Sequence, residues 1–328
     1  MRGSMPFSSG MLDCLALIYG AVVKVRNTLY DLGVLNIHKV PLLVVSVGNI
    51  ESGGTGKTPF TMALAGGLFQ RGRKVSIITR GYKGILKGPV LVEHRHLSEE
   101  VGDEALLMSR LMKVPVVKSP DRVKGALFAH TNLGSEIVVL DDGFQHRRLH
   151  RDLDIVLVSR DVKGEKLLPA GTLREHATSL KRANVIVSLK GADYDGLKAE
   201  LIPSALVDLH GNTYGLELVS GKRVLAFCAI GRPEHFIAML HGLGADVDGL
   251  VFKDHHSYTL SDVRDIMDRS AGRDLAITTE KDLVKINPAW FTGITEKLFA
   301  VRVGIEMRGL AGMLDEIEQL AENSRFPG

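Results

Sequence analysis

The run Ser52-Gly53-Gly54-Thr55-Gly56-Lys57-Thr58 has the residue types and spacing needed to cradle a nucleotide polyphosphate. Gly53, Gly54 and Gly56 let backbone amides approach phosphate oxygens closely, with Thr55 inside the same loop, and Lys57 supplies a point charge. Thr58 offers a hydroxyl to Mg²⁺. The apolar run before the loop and Pro59 just after it predict a strand leading into a helix, whose N-terminal end adds positive potential. Glu51 stands where the common pattern has its first glycine, so the match is near rather than complete. Asp141 and Asp142 close the apolar run Ile137 to Leu140, and a strand end there sets carboxylates beside the loop. One of the pair is expected to hold Mg²⁺ together with substrate phosphates. The chemistry implied is phosphoryl transfer or hydrolysis.

Other polar groups are ambiguous by spacing alone. Asp103, in Gly102-Asp103-Glu104, begins a helical segment and reads either as a helix cap or as a catalytic carboxylate. Asp254-His255-His256 follows an apolar run; its histidines read as surface residues or a metal pair. Arg80, Arg122 and Arg174 with Glu175 are candidates for neutralising polyphosphate charge, against a plain solvated-surface reading.

These residues need a scaffold. From Leu42 onward, short β-branched runs at 42–48, 74–79, 136–142, 153–159 and 183–189 alternate with helical spacing over 57–70, 102–111 and 121–131. That is the signature of stacked βαβ units: a P-loop NTPase-like α/β fold with a doubly wound, mostly parallel sheet. Further strand-like runs at 223–230, 249–252 and 274–279 predict a second, smaller α/β domain, and 309–323 an amphipathic closing helix. The expected division is 1–215 and 216–328, with the last helix packing back on the first domain. Met11 to Val23 is apolar but too short to span a bilayer, which takes about 20 residues. As a helix within 11–30, followed by Lys24, Arg26 and Lys39, it suits either the protein's own core or a membrane interface.

Composition narrows little. In 328 residues, 45% hydrophobic and 24% charged content describe a folded protein, and a net charge of +3 gives no argument for nucleic acid. Two cysteines, Cys14 and Cys228, exclude a disulfide framework and read as buried packing residues. Met1 to Ser4 reads as an expression remnant before a natural start at Met5.

Taken together, Gly48-Asn49, the 52–59 loop, Arg80-Gly81-Tyr82, Gly102-Asp103-Glu104, the run from Asp141 to His146, Leu168-Pro169-Ala170-Gly171, Leu173-Arg174-Glu175, Asp254-His255-His256 and Thr279-Glu280-Lys281-Asp282 resemble the tetraacyldisaccharide 4′-kinase family. The resemblance implies ATP and Mg²⁺ as cofactors. It also implies transfer to the 4′ hydroxyl of a tetraacylated glucosamine disaccharide 1-phosphate in lipid A biosynthesis. Asp103 would prepare the hydroxyl, His255 (or His256) would orient or tune that carboxylate, and Lys57 would meet charge on the phosphate. Implied partners are the acylated lipid and the cytoplasmic face of the inner membrane, touched peripherally. Thr172, His176 and Ser159 depart from the family's usual Pro, Pro and Asp. The rival reading, a partitioning or metal-insertion switch ATPase, would share the glycine loop, but partitioning ATPases carry lysine where this chain has Ser52. A metallophosphoesterase built on 254–256 lacks a convincing upstream set of aspartates.

Overall fold

The computed structural model describes residues 9–323 apart from 193 and 195, so the reading of Met1 to Ser4 lies outside the described residues. Near-continuous apolar runs form strands buried on both faces, as parallel interior strands require. In chain order they are β1 (Leu43–Asn49), β2 (Val75–Thr79), β3 (Val90–Leu91), β4 (Val116–Lys118), β5 (Ile137–Asp141), β6 (Leu153–Val158) and β7 (Val185–Leu189). The second half adds β8 (Leu197–Asp208), β9 (Thr213–Tyr214), β10 (Arg223–Cys228), β11 (Asp246–Val251), β12 (Leu275–Thr279) and β13 (Leu298–Met307). The helices are α1 (Ser9–Asp31), α2 (Lys57–Gln70), α3 (Ser98–Val101), α4 (Asp103–Leu111), α5 (Arg122–Leu133), α6 (Pro233–Gly242), α7 (Leu260–Ser270), α8 (Glu280–Leu283) and α9 (Leu310–Asn323).

The strands make one sheet in the order β11-β10-β12-β13-β8-β7-β6-β1-β5-β2-β4-β3, with β9 on β8. Among the strands of the described residues, only β13/β8, β3/β4 and β8/β9 pair antiparallel. Strand β1 sits between β5 and β6, so successive crossovers leave it in opposite directions and open a crevice at its C-terminal end. Alternation along β1 assigns the two faces. Leu43, Val45 and Val47 pack with Phe60 and Leu64 of α2, Leu106 of α4 and Leu314 of α9. Leu42 and Val44 pack with Val123, Ala126 and Ala129 of α5. In the second half β10 is covered by α6 on one face and α7 on the other.

Strands β8 and β13 escaped the sequence reading, and the reason is visible in them. Pro203 removes a ladder donor, and β8 accommodates it where the register against β13 shifts between Arg302 and Val303. These two strands carry the sheet across 205–220. The last helix does lie on α2: a Cβ at Gly67 would come within 2.7 Å of Leu314, and Arg71 and Arg73 pair with Asp315, Glu318 and Glu322. One expectation fails at Cys14, which is exposed on α1 while Cys228 is buried.

Helix α1 runs longer than read. Ala16, Tyr19, Gly20, Val23, Asn27 and Tyr30, spaced three or four apart, face the protein, where Ala16 joins the cluster around Ile50 and Phe144. The opposite stripe Leu15, Ile18, Val22 and Val25 is 43–62% exposed, with Leu17 at 74% beside it. No helix among the described residues is long and apolar enough to cross a membrane.

Candidate active site

The loop after β1 turns into α2 through Gly56, whose φ of 72° is left-handed and suits glycine. Asn49 Nδ2 donates to Thr55 Oγ1 at 2.7 Å, and Gln145 donates to the Asn49 carbonyl at 2.8 Å, fixing the loop from below. Glu51 explains the missing glycine. Its carboxylate is fully buried and accepts from Ser159 N and Oγ, Arg160 Nε and Arg232 Nη2 at 2.8–3.1 Å. Burial pushes its pKa up, yet bonds from Arg160 and Ser159 outweigh burial and hold it below the ordinary value. Ser159, one of the departures from the family pattern, thus serves the loop directly.

The next strand, β5, delivers the acidic pair. Asp141 is buried, with Thr61 Oγ1 at 3.3 Å; burial and the neighbouring charges of Glu104 and Asp142 raise its pKa. Asp142 has a φ of 56° and faces the loop, with Arg174 Nη1 at 2.8 Å and Lys57 Nζ at 3.5 Å. Burial opposes its charge, but Lys57 and Arg174 outweigh burial and keep its pKa well below the carboxylate range. The Asp141–Asp142 pair at the strand end, with Thr58 on the facing first turn, offers the hard oxygen donors that Mg²⁺ takes alongside substrate phosphates. The residues therefore fit Mg²⁺ and the phosphates of ATP.

A second constellation forms where α4 meets the loop after β11. Residues 152 apart come together: His255 Nδ1 lies 2.9 Å from Asp103 Oδ2 and 3.2 Å from Oδ1. Burial would raise the Asp103 pKa, but the His255 bond and the Lys281 charge outweigh it and hold it below the ordinary value. His255 adopts a φ of 56°, and Lys83, at 62°, bonds its carbonyl at 2.9 Å. With Asp142, these are the three non-glycine residues of positive φ among the described residues, and all lie at this crevice. His256 turns away, pairing with Asp262 at 2.9 Å and stacking on Phe252, so the geometry singles out His255.

Asp103 depends on the glycine before it. Gly102 has φ 92° and ψ 146°, and a Cβ there would sit 2.7 Å from the Tyr82 carbonyl oxygen. Gly102→Ala is expected to cost about 1–3 kcal/mol from backbone conformation alone, read by denaturant unfolding, and to lower turnover by displacing Asp103.

The remaining candidates separate. Arg174 belongs to the crevice through Asp142 and Asn49. Arg122 is buried behind the acidic pair, with bonds to the Ser119 and Pro120 carbonyls and an unpartnered Nε; burial brings its pKa down to about 10. Arg80 is exposed and makes no ion pair among the described residues. Glu175 is not a phosphate contact. It is fully buried, binding Asn27 at 2.8 Å and Arg182 at 2.6 Å, with Arg26 at 3.7 Å, and so ties α1 to the core. Arg26 is correspondingly engaged inward rather than free for lipid. Sequence reasoning missed Arg232, which reaches Glu51 from 181 residues away with no local signal.

A phosphate loop, an acidic strand end on the neighbouring strand and a carboxylate–imidazole pair across the crevice define a P-loop phosphotransferase. The comparisons agree. The family model described as Tetraacyldisaccharide-1-P 4′-kinase matches residues 9–320. A tetraacyldisaccharide 4′-kinase of Koribacter versatilis is 37% identical over 95% of this chain and 99% of its own. One of Aquifex aeolicus is 38% identical over 82% of this chain and 87% of its own. The crystal structure of LpxK from Aquifex aeolicus in complex with ATP superposes with a TM-score of 0.76 at 33% identity, over 93% of this chain and 97% of that one. The chain belongs to the tetraacyldisaccharide-1-P 4′-kinase family and is an ATP-dependent kinase.

Proposed function

We propose that this chain moves the γ-phosphoryl group of ATP onto the 4′ hydroxyl of a tetraacylated glucosamine disaccharide 1-phosphate, with Asp103 as the base. The pairing of Asp103 with His255 supports this reading most, because hydrolysis-driven switching needs no group to deprotonate a sugar hydroxyl. Asp103 takes the hydroxyl proton as the oxygen–phosphorus bond forms and the bond to ADP breaks. His255 fixes the carboxylate's orientation. Lys57 and the loop amides meet the charge on the transferring group, and Arg174 holds Asp142 in place. Mg²⁺, bound by Thr58 and the Asp141–Asp142 pair, would supply charge neutralisation at the phosphates. Arg122 and Arg80 add positive potential, the latter at the rim. Residues 1–215 act as the P-loop domain and 216–328 as the smaller one, whose approach completes the base.

The acyl chains give α1 its purpose. Its exposed apolar stripe, with exposed Lys24 beside it, suits peripheral docking on the cytoplasmic face of the inner membrane, where the lipid resides. The test incubates purified protein with labelled ATP, Mg²⁺ and the disaccharide 1-phosphate and follows label into lipid. Label in lipid that depends on both substrates supports the kinase; hydrolysis without labelled lipid favours the switch ATPase. Replacing Leu17, Ile18 and Val22 together by serine is expected to lower transfer on vesicles at least tenfold, at roughly 0.8 kcal/mol per exposed methylene withdrawn from the interface. Transfer to detergent-solubilised lipid should hold, and equal loss in both formats would rule out a membrane role for the stripe.

A further inference from the structure

Thr279-Glu280-Lys281-Asp282 has no part in the scheme so far, yet it ends at the same crevice. Lys281 Nζ lies 3.1 Å from His255 Nε2 and 3.1 Å from Glu104 Oε1. We propose that Lys281 is a positioning residue that holds His255 as the neutral tautomer protonated at Nδ1, so that the ring's one proton points at Asp103.

An ammonium has donors and no acceptor, so the nitrogen it touches must accept. Nε2 therefore carries no proton, and the ring's proton is on Nδ1, which donates to Asp103. Lys281 keeps its charge there: burial works against it, but Glu104, Asp103 and Asp254 outweigh burial and raise its pKa. Its backbone is placed by Thr279, which caps α8 by accepting from Asp282 N at 3.1 Å.

Everything charged around the ring bears on this role. Asp103 faces it from α4, and Asp254 lies 3.8 Å from Nε2 within its own loop. Tyr82 stands edge-on at 4.9 Å, Lys83 bonds the His255 carbonyl, and Lys285 on the segment after α8 is engaged with His256 O and Asp282. Without Lys281, Asp254 beside Nε2 would be free to accept a proton carried on that nitrogen. A ring protonated at Nε2 would set a bare Nδ1 against the Asp103 carboxylate, two acceptors facing each other. Lys281 prevents this by occupying Nε2, and Glu104 anchors the lysine in turn.

The inference rests on the Asp103–His255 reading, and the experiment separates the two. Turnover of the full-length protein, its K281M, K281R and H255A variants is followed from about pH 5.5 to 9, alongside ¹⁵N spectra of the histidine rings. K281M is expected to lose about tenfold in kcat near neutrality with KM for ATP unchanged, and its His255 ring signals should move toward the Nε2-protonated tautomer. K281R, which keeps the donor and charge, should restore both. In the parent protein the His255 signals should show Nδ1 protonated and Nε2 bare. A proton on Nε2 in the parent protein overturns the proposal without any variant. His255 ring signals unchanged in K281M, with H255A impaired, overturn the role of Lys281 alone; unimpaired H255A removes the dyad and this proposal with it.

Discussion

Asp103→Ala is expected to lower kcat by about 10²–10⁴, the contribution of a positioned general base, while KM for ATP stays near that of the parent protein. The separation follows from placement. Asp103 begins α4 and bonds His255, whereas the nucleotide loop is built from β1 and α2 and is braced by Asn49, Gln145 and Glu51. Removing the carboxylate therefore strips a proton acceptor without loosening the phosphate cradle. Loss in kcat and in kcat/KM for the lipid should be equal, the mark of an interaction made in the transition state. Steady-state kinetics with each substrate varied will check this, and unchanged kcat would remove Asp103 from the chemistry. The same carboxylate has a stability signature. Its folded pKa lies below the unfolded value, so its stabilisation is full above the unfolded pKa and disappears as pH falls through the folded one. Asp103→Asn should be less stable than the parent at neutral pH and converge with it in acid.

Lys57→Ala should fail more broadly: a roughly 10²–10³ fall in kcat, typical for loss of one electrostatic donor, together with weaker ATP binding. Lys57 meets phosphate in the ground and transition states alike, so both parameters move. The variant should still fold, because Asp142 retains Arg174 at 2.8 Å when its contact with Lys57 is lost. Titration with a fluorescent ATP analogue, beside turnover measurements, checks the pair of effects; intact binding would restrict Lys57 to the transition state.

Local signals were readable and distant ones were not. The loop at 52–58, the acidic strand end and β1, β2, β5 and β6 follow from runs of a few residues, whose apolar content and glycine placement dictate their conformation. Asp103 and His255 carry no such signal, since what makes them a pair is folding across 152 residues. Spacing left Asp103 as a helix cap, and only the family resemblance singled it out. Glu175 shows the opposite failure: its neighbour Arg174 does face the crevice, but Glu175, one residue on in a bend, points into the core and is held there by Asn27 and Arg182. Strand β8 was hidden by Pro203, a residue that argues against a strand until the irregularity opposite it is known.

The packing of α9 on α2 has a consequence for synthesis. Arg71 at the end of the nucleotide helix bonds Ala311, 240 residues further along. At about 5–20 residues per second, the ribosome needs roughly 12–50 s to make that stretch. Through this interval the phosphate loop exists while the outer face of its helix, around Gly67, lacks the Leu314 that will cover it. His255 also emerges within that time. A nascent chain thus has the residues for gripping a nucleotide well before it has those for using one, and its apolar nucleotide helix waits through that interval without its final cover.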